Sequence, residues 1–386
     1  MLWLVDFARF QVYNHVNISC KGGLYMRKLY LDNIRWSTVV LVVLYHVFFM
    51  YNGVGIPTVL GKITTLEVQY YDCFQYIVYP WFMMILFLVS GICSRLYLEK
   101  HTAREFLRSR TRKLLVPSTV GLFAFQFIQG WVNMSIVDAF DGLQDVPAAV
   151  RFLIMLLSGT GVLWYIQLLW VFSVMLLLIR KTERNRLQGI GGRINTVWLI
   201  LLAVPVWAAA QILNTPIICV YRFGLYGLVF LLGYFVFWQD AVIELLKKRF
   251  ALFLGIAAVL GTAFCIVYFG ENYADKPVNR TPLFTCYGWF ACLAVLGGAA
   301  KYADFENRFT RFMNRQNFGL YVFHYLGISA VALFFGKSGM LPAPAVYLLS
   351  IVAGFAVPYL LNAVISRIPV YRWCVLGIRK EKSDVQ

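Results

Sequence analysis

Long apolar stretches alternate with short polar segments along almost the whole chain. A helix needs about 20 apolar residues to cross a hydrocarbon core of about 30 Å. In lipid, every backbone N–H and C=O group also needs a partner within the protein. The pattern therefore predicts an all-α polytopic membrane protein, a bundle of about ten transmembrane helices. The predicted runs are 34–51, 74–94, 114–132, 161–179, 194–213, 218–238, 250–270, 282–300, 317–336 and 343–366.

The composition agrees with lipid as the solvent. Hydrophobic residues make up 60% of the chain, charged residues 14%, and the mean hydropathy is +0.69, whereas soluble proteins carry roughly 25% charged residues. Since no internal repeat or low-complexity linker is visible, we expect residues 26–386 to form one membrane domain. Residues 1–25 are predicted to be an N-terminal extension, which a misassigned start would also explain. Asp6 and Arg9 interrupt them where a signal peptide has its apolar core.

The positive charges are distributed unevenly between the two sides that the ten runs define. If the N-terminus is cytoplasmic, 27 of the 35 Lys and Arg lie in inner segments and six lie in outer loops. Cytoplasmic loops of membrane proteins collect Lys and Arg, so the asymmetry predicts that both termini are cytoplasmic, in the cell (inner) membrane. It also accounts for most of the net charge of +17 without nucleic acid as a partner. The six outer cations are Lys62, Arg151, Arg222, Lys276, Arg280 and Lys337.

The cysteines do not form the pattern of a metal site or a disulfide framework. Most of the eight lie inside apolar runs, and no CxxC pair occurs. Isolated cysteines in such runs behave as small buried hydrophobic residues. We therefore expect no metal site and no tightly bound cofactor.

The first run carries ionisable residues at helical spacing. Arg35 and His46 are 11 residues apart, which is almost three helical turns, so they share a face about 16 Å apart along the axis. Asp32 lies near the same face, about 21 Å from His46, and is expected to serve the inner mouth beside Arg35. Arg35 can hold an anion there, and His46, farther out, can act as a general base. The same spacing also fits an arginine that extends to the inner interface and a hydrogen-bonded core histidine.

Several motifs in order along the chain resemble one known family. The pattern Asp32-x-x-Arg35-(ten residues)-His46 resembles the signature of the acyltransferase-3 superfamily of integral-membrane acyltransferases. Further matching elements are Ser90-Gly91, the basic segment 106–117 ending in Pro117, Leu163-Trp164-Tyr165, Tyr321-Val-Phe-His324 and Arg367-Ile-Pro-Val. The last element and the overall length look like the periplasmic glucan succinyltransferase branch, glucans biosynthesis protein C. The chain departs from the family pattern at Val162, where histidine is common, and at Lys113, which replaces an arginine.

This resemblance implies an O-acyltransferase that takes acyl-CoA as co-substrate from the cytoplasm. The acetyl or succinyl group would go to an outward-facing hydroxyl of a glycan or lipid-linked acceptor in the cell envelope. It places Arg108, Arg110 and Lys113 near the CoA phosphates. The general enrichment of Lys and Arg in cytoplasmic loops explains these cations as well. The resemblance places Trp164, Tyr321 and His324 near substrate, although aromatic residues at an interface and a core histidine fit as well. A covalent acyl-His46 intermediate and direct transfer both stay open.

A transporter or flippase of a lipid-linked or anionic solute is the alternative function. Such proteins commonly show repeat symmetry and broken helices in matched positions, and this chain shows neither clearly. It shows instead a titratable base aligned with an anion-holding arginine, which favours the enzyme.

Overall fold

The chain folds into a bundle of helices with one short β-hairpin. The computed structural model describes residues 28–53, 61–64, 66, 72–183, 194–216 and 220–378, so the predicted extension 1–25 lies outside the described residues. The helices are α1 Leu29–Tyr51, α2 Asp72–Leu98, α3 Ala103–Ile136, α4 Ala148–Ser158, α5 Gly161–Glu183, α6 Thr196–Ala210, α7 Phe223–Phe235, α8 Asp240–Lys248, α9 Phe250–Tyr268, α10 Pro282–Tyr302, α11 Arg308–Gly336, α12 Ala343–Ile365 and α13 Pro369–Leu376. The hairpin pairs β1 Asn214–Pro216 with β2 Val220–Arg222 in antiparallel register.

Eight of these helices are long and apolar enough to cross a membrane by themselves, which confirms the all-α polytopic fold. They are α1, α2, α3, α5, α9, α10, α11 and α12. The fifth and sixth predicted runs form shorter helices, α6 and α7, and α7 is followed by α8 after a bend of 108°.

The shortness of α6 and α7 has local causes in the sequence. Pro205 has no N–H to donate to the preceding turn, and the backbone of α6 departs from α-helix near it, at Leu202. In the sixth run, Val220 and Tyr221 are β-branched and aromatic residues that favour strands, and they pair with Pro216 and Thr215. Apolar character alone did not distinguish this hairpin from a helix.

The central helices are α1 and α2, and the lipid-facing helices are α9 and α12. Helix α1 contacts α2, α10, α11 and α12, so most of its side chains are buried. In contrast, α9 exposes 69% of Val259 and 76% of Ile266. Large exposed apolar side chains on a membrane-length helix indicate contact with acyl chains.

A close crossing between α2 and α7 positions the middle of α2. A Cβ atom on Gly91 would overlap with the carbonyl oxygen of Phe230, and one on Gly233 with that of Leu88. Small residues allow helix backbones to approach in this way within membranes. The Ser90-Gly91 motif therefore presses one side of α2 against α7, while Ser90 bonds to another helix, as described below.

The predicted inner segments meet at one end of the bundle, which we name the inner end. The ammonium of Lys28, just before α1, lies 2.7 Å from the carboxylate of Asp240, just after the bend that follows α7. The guanidinium of Arg95 lies 4.4 Å from the ring centre of Trp238. The side-chain amide of Asn33 donates to the carbonyls of residues 303 and 305, between α10 and α11.

The predicted outer loops meet at the opposite, outer end, and the hairpin is there too. The guanidinium of Arg222 in β2 donates to the carbonyl of Ala274 at 3.0 Å. Arg280 donates to the carbonyl of Asn214 in β1 at 3.3 Å. Since α7 starts at this hairpin and the segment after it reaches Lys28, the sixth run connects the two ends of the bundle although its helix has only 13 residues.

Candidate active site

An ion pair forms where α1 begins. The Arg35 guanidinium lies 3.0 Å from the Asp32 carboxylate, one turn away on the same helix. The Arg35 side chain retains 35% exposure within the bundle, so part of the guanidinium faces an accessible space. The carboxylate orients this cation and still leaves donors available for an anion.

Two further cations from α3 approach Arg35. Arg110 and Lys113 both interact electrostatically with Arg35 and with each other. Arg110 also donates to the Ser94 hydroxyl of α2 at 2.9 Å, and a π-helical stretch begins directly after it, at Thr111. Such local widening of a helix is frequent at functional sites. Arg35, Arg110 and Lys113 together form what we name the inner cation cluster.

Arg108, the third cation predicted near CoA phosphates, lies differently. It is exposed, and two residues along a helix correspond to a rotation of about 200°. Arg108 and Arg110 therefore point to nearly opposite sides of α3.

Two histidines from distant parts of the chain meet near the middle of the bundle. His46 Nδ1 of α1 lies 3.1 Å from His324 Nε2 of α11, with ring centres 5.0 Å apart. His324 is fully buried, and its Nδ1 lies 2.9 Å from the carbonyl of Tyr321 and 3.1 Å from that of Leu320. The residue predicted to contact substrate is thus the hydrogen-bond partner of the predicted base.

The surrounding carbonyls determine which nitrogens carry protons in the neutral pair. Because His324 Nδ1 faces carbonyl oxygens, it must be the donor, and His324 Nε2 then carries a lone pair. His46 Nδ1 faces that lone pair and the carbonyl of Val42 at 2.9 Å, so it must also carry a proton. The lone pair of His46 is therefore on Nε2, and the half-buried ring can use that atom as a base.

Tyr321 and Trp164 have different surroundings. Tyr321 is buried, and its hydroxyl donates to the carbonyl of Val162 at the start of α5, so it joins α11 to α5. Trp164 is half-buried and stacks on Tyr226 at 5.8 Å between ring centres. Of these two predicted substrate contacts, Trp164 has the more accessible ring.

A polar track connects the two ends of this site along α2. From Arg110 it passes to the Ser94 hydroxyl, which donates to the backbone carbonyl of Ser90, and the Ser90 hydroxyl lies 3.0 Å from that of Tyr165. The Tyr165 ring contacts the Tyr321 ring at 5.7 Å between centres, and the backbone carbonyl of Tyr321 accepts from His324 Nδ1. Sequence reasoning missed Ser94, although its spacing of four residues from Ser90 was an available signal.

Arg222 of β2 is a buried cation near the outer end of the bundle. It is 1% exposed, and its guanidinium donates to the Tyr79 hydroxyl at 3.2 Å and to a backbone carbonyl. Within the part of the chain that the structure describes, no carboxylate lies within ion-pair distance of Arg222. Its hydrogen bonds to Tyr79 and Ala274 are to neutral oxygens.

Comparison with known proteins identifies the family. Within the described ranges, no group of three or more His, Cys, Asp and Glu side chains is placed to hold a metal ion. No curated protein matches the chain, and no solved structure matches it. A family model described as an acyltransferase domain, that of the acyltransferase-3 proteins, matches residues 28–363. Because this match spans most of the chain and includes both the inner cation cluster and the histidine pair, the protein belongs to the acyltransferase-3 family of membrane acyltransferases.

Proposed function

We propose that this protein moves an acyl group from cytoplasmic acyl-CoA to a hydroxyl of an extracytoplasmic glycan, across the cell (inner) membrane. One observation carries the proposal: the inner cation cluster and the histidine pair occupy the two ends of one polar track. Arg35 and His46 lie on the same face of α1, about 16 Å apart along its axis. CoA has the matching chemistry, since its phosphates are remote from its thioester, at the other end of the pantetheine arm.

The inner cation cluster supplies the donor-binding end. Arg35 and Arg110 present planar guanidinium groups, which bind phosphate through paired N–H donors. Lys113 adds a point charge at the exposed edge of the cluster. Cations at an inner helix mouth bind the phosphates of CoA and direct the thioester along the track toward His46.

His46 supplies the base at the other end. Its Nε2 takes the proton of the acceptor hydroxyl while that oxygen attacks the thioester carbonyl carbon. A C–O bond forms, the C–S bond breaks, and the CoA sulfur leaves with the proton from His46. A positioned base of this kind contributes roughly 10²–10⁴ in rate. The covalent variant, in which Nε2 itself takes the acyl group, uses the same atom.

His324 acts as a positioning residue for His46. Its Nε2 accepts a hydrogen bond from the Nδ1–H group of His46. This bond keeps the lone pair on His46 Nε2 available, as the carboxylate does for the histidine of a serine protease triad. A neutral imidazole in this place stabilises the protonated His46 less than a carboxylate would. His324 thus orients the base without greatly raising its basicity.

The test is CoA release by purified protein in nanodiscs, with acetyl-CoA and succinyl-CoA as separate donors and donor binding measured in parallel. His46→Gln should lower CoA release at least about 100-fold while donor binding is retained. His324→Ala should lower kcat with little change in the KM for the donor. His324→Gln, whose side-chain carbonyl can accept the same hydrogen bond from His46, should recover part of the lost kcat. Near wild-type turnover in both His46→Gln and His46→Ala would make His46 a core histidine and reject this mechanism.

A further inference from the structure

A second polar cluster lies on the outer side of His46. The Tyr45 ring contacts His46 at 5.3 Å between centres, and the Tyr45 hydroxyl lies 3.1 Å from that of Tyr273. The Tyr273 hydroxyl in turn interacts with Asn52, just after the end of α1. Six residues separate Asn52 from His46, which places this cluster about 9 Å farther out along the axis.

Three side chains of this cluster form a hydrogen-bonded relay. The Lys62 ammonium donates to Asn52 Oδ1 at 2.7 Å and lies 4.1 Å from the ring centre of Phe49. Asn52 Nδ2 donates to Gln75 Oε1 at 2.5 Å. Asn52 and Gln75 are buried, with 2% and 0% exposure. We name Lys62, Asn52 and Gln75 the outer relay.

The relay has a fixed direction. An ammonium can only donate, so the Asn52 oxygen must face Lys62 and the Asn52 nitrogen must face Gln75. The free end of Gln75 is then its amide nitrogen, and this buried Nε2 has no hydrogen-bond partner among the residues that the structure describes. Burial lowers the pKa of Lys62 to about 7, so the donor-only ammonium is the main form below pH 7.

An unpartnered buried donor destabilises the fold, and a hydrogen-bond network with a purely structural role would avoid it. Leaving a buried N–H unsatisfied costs about 1–3 kcal/mol, and natural proteins contain few such groups. A cation at the other end of the relay polarises the amides toward an incoming oxygen. The relay thus leaves one donor for an oxygen atom that the described residues do not supply.

We propose that the outer relay is an acceptor subsite, in which Gln75 Nε2 donates to a hydroxyl or ring oxygen of a glycan whose neighbouring hydroxyl reaches His46. This assignment rests on the proposed function, because it requires the acceptor to approach His46 from outside. The chemistry favours a sugar, since amide donors among aromatic rings suit a ligand with many oxygen atoms and apolar faces. Rings beside the relay include those of Phe49, Tyr273 and Tyr45.

The test separates reaction with water from reaction with sugar. Purified protein in phosphatidylcholine nanodiscs, whose headgroups have no hydroxyl, is assayed at pH 6.5 for CoA release from acetyl-CoA and succinyl-CoA. A linear glucose oligosaccharide is the probe. It should accelerate CoA release by the unaltered protein, and Gln75→Met should raise the KM for the oligosaccharide about three- to tenfold.

Asn52→Asp tests the direction of the relay. A carboxylate there can only accept, so Gln75 must turn its nitrogen toward it and present an oxygen at the free end. Acceleration by the sugar should be lost although the side-chain volume is the same. Lys276→Met, which removes an exposed lysine of the outer segment, is the control and should behave like the unaltered protein.

The outcomes distinguish this inference from the proposed function. If His46→Gln retains CoA release in water, the proposed function fails. If CoA release depends on His46 but the oligosaccharide does not accelerate it, the glycan subsite is wrong. It is also wrong if the oligosaccharide accelerates Gln75→Met and Asn52→Asp as strongly as the unaltered protein, or if acceleration requires phosphatidylglycerol in the nanodisc instead of the sugar. Thermal unfolding of each variant shows whether a lost effect reflects a lost fold.

Discussion

At the scale of single residues, Arg35 and His46 have opposite surroundings although they share one helix face. Arg35 has a carboxylate one turn away and two further cations near it. His46 has a carbonyl, a neutral imidazole and aromatic rings. The first environment suits an anion with several negative charges, and the second suits a neutral base. These neighbours support the different roles proposed for Arg35 and His46.

Loss of charge in the inner cation cluster should weaken donor binding and leave the fold intact. A hydrogen bond to a charged group is worth about 1.5–3 kcal/mol, so Arg35→Ala and Arg110→Ala should each raise the Kd of acyl-CoA about tenfold or more. Added salt should weaken binding further where the phosphates remain exposed. Calorimetric titration of purified variants measures both effects.

Lys248→Ala removes an exposed inner cation of α8 and serves as the matched control for that series. Unchanged CoA affinity in Arg35→Ala, Arg110→Ala and Lys113→Ala would reject the assignment of the cluster. Arg108→Ala shows separately whether the exposed arginine on the other side of α3 contributes.

At the scale of elements, the crossing of α2 and α7 holds the polar track in place. Ser90, Gly91 and Ser94 lie within little more than one turn of α2. Gly91 faces α7, while the two serines bond toward α5 and α3. A shift of α2 away from α7 would therefore change the positions of both serine hydroxyls.

Gly91→Ala should destabilise the protein and reduce activity together. The added methyl group overlaps with a backbone carbonyl, and overpacking of this kind costs about 1–3 kcal/mol. Gly255→Ala in α9 is the control, because a Cβ there meets nothing within 4 Å and alanine is the better helix former. Thermal unfolding and CoA release of both variants provide the comparison, and equal stability would contradict the close crossing.

At the scale of the whole molecule, segments from four places in the chain gather at one end of the bundle. The contacts of Lys28, Asn33 and Arg95 join the start of α1, the end of α2, the turn before α8 and the connection between α10 and α11. The β-hairpin between α6 and α7 and the segment that contains Arg280 meet at the other end. This arrangement supports the orientation that the charge asymmetry predicts.

Reporter fusions should read the two ends as opposite sides of the membrane. Fusions after residues 145 and 275 should report outside, and fusions after 105 and 310 should report inside. A fusion within the hairpin, after residue 216, should report outside, since Arg222 and Arg280 tie that hairpin to the outer segment. A cytoplasmic signal at 145 would reverse the site and contradict the donor and acceptor sides proposed above.

The sequence alone determined the properties that depend on periodicity and composition. Lipid as solvent, the all-α fold and the positions of eight membrane-length helices follow from apolar runs, because hydrocarbon thickness and backbone hydrogen bonding leave few alternatives. The stripe of Asp32, Arg35 and His46 follows from the helical repeat on one element. The family resemblance drawn from these residues was confirmed by the family match.

Only the tertiary structure decided which residues from different helices meet. His46 and His324 are separated by 278 positions, and no local pattern relates them, since their contact depends on the packing of α1 against α11. The same holds for Arg110 with Ser94, and for the outer relay, which combines a helix end, a loop lysine and a second helix. The tautomer of His46 and the free donor of Gln75 also depend on neighbouring carbonyl, imidazole and amide groups. These neighbours, which the chain brings together only on folding, support the proposed base at His46 and the proposed donor to substrate at Gln75.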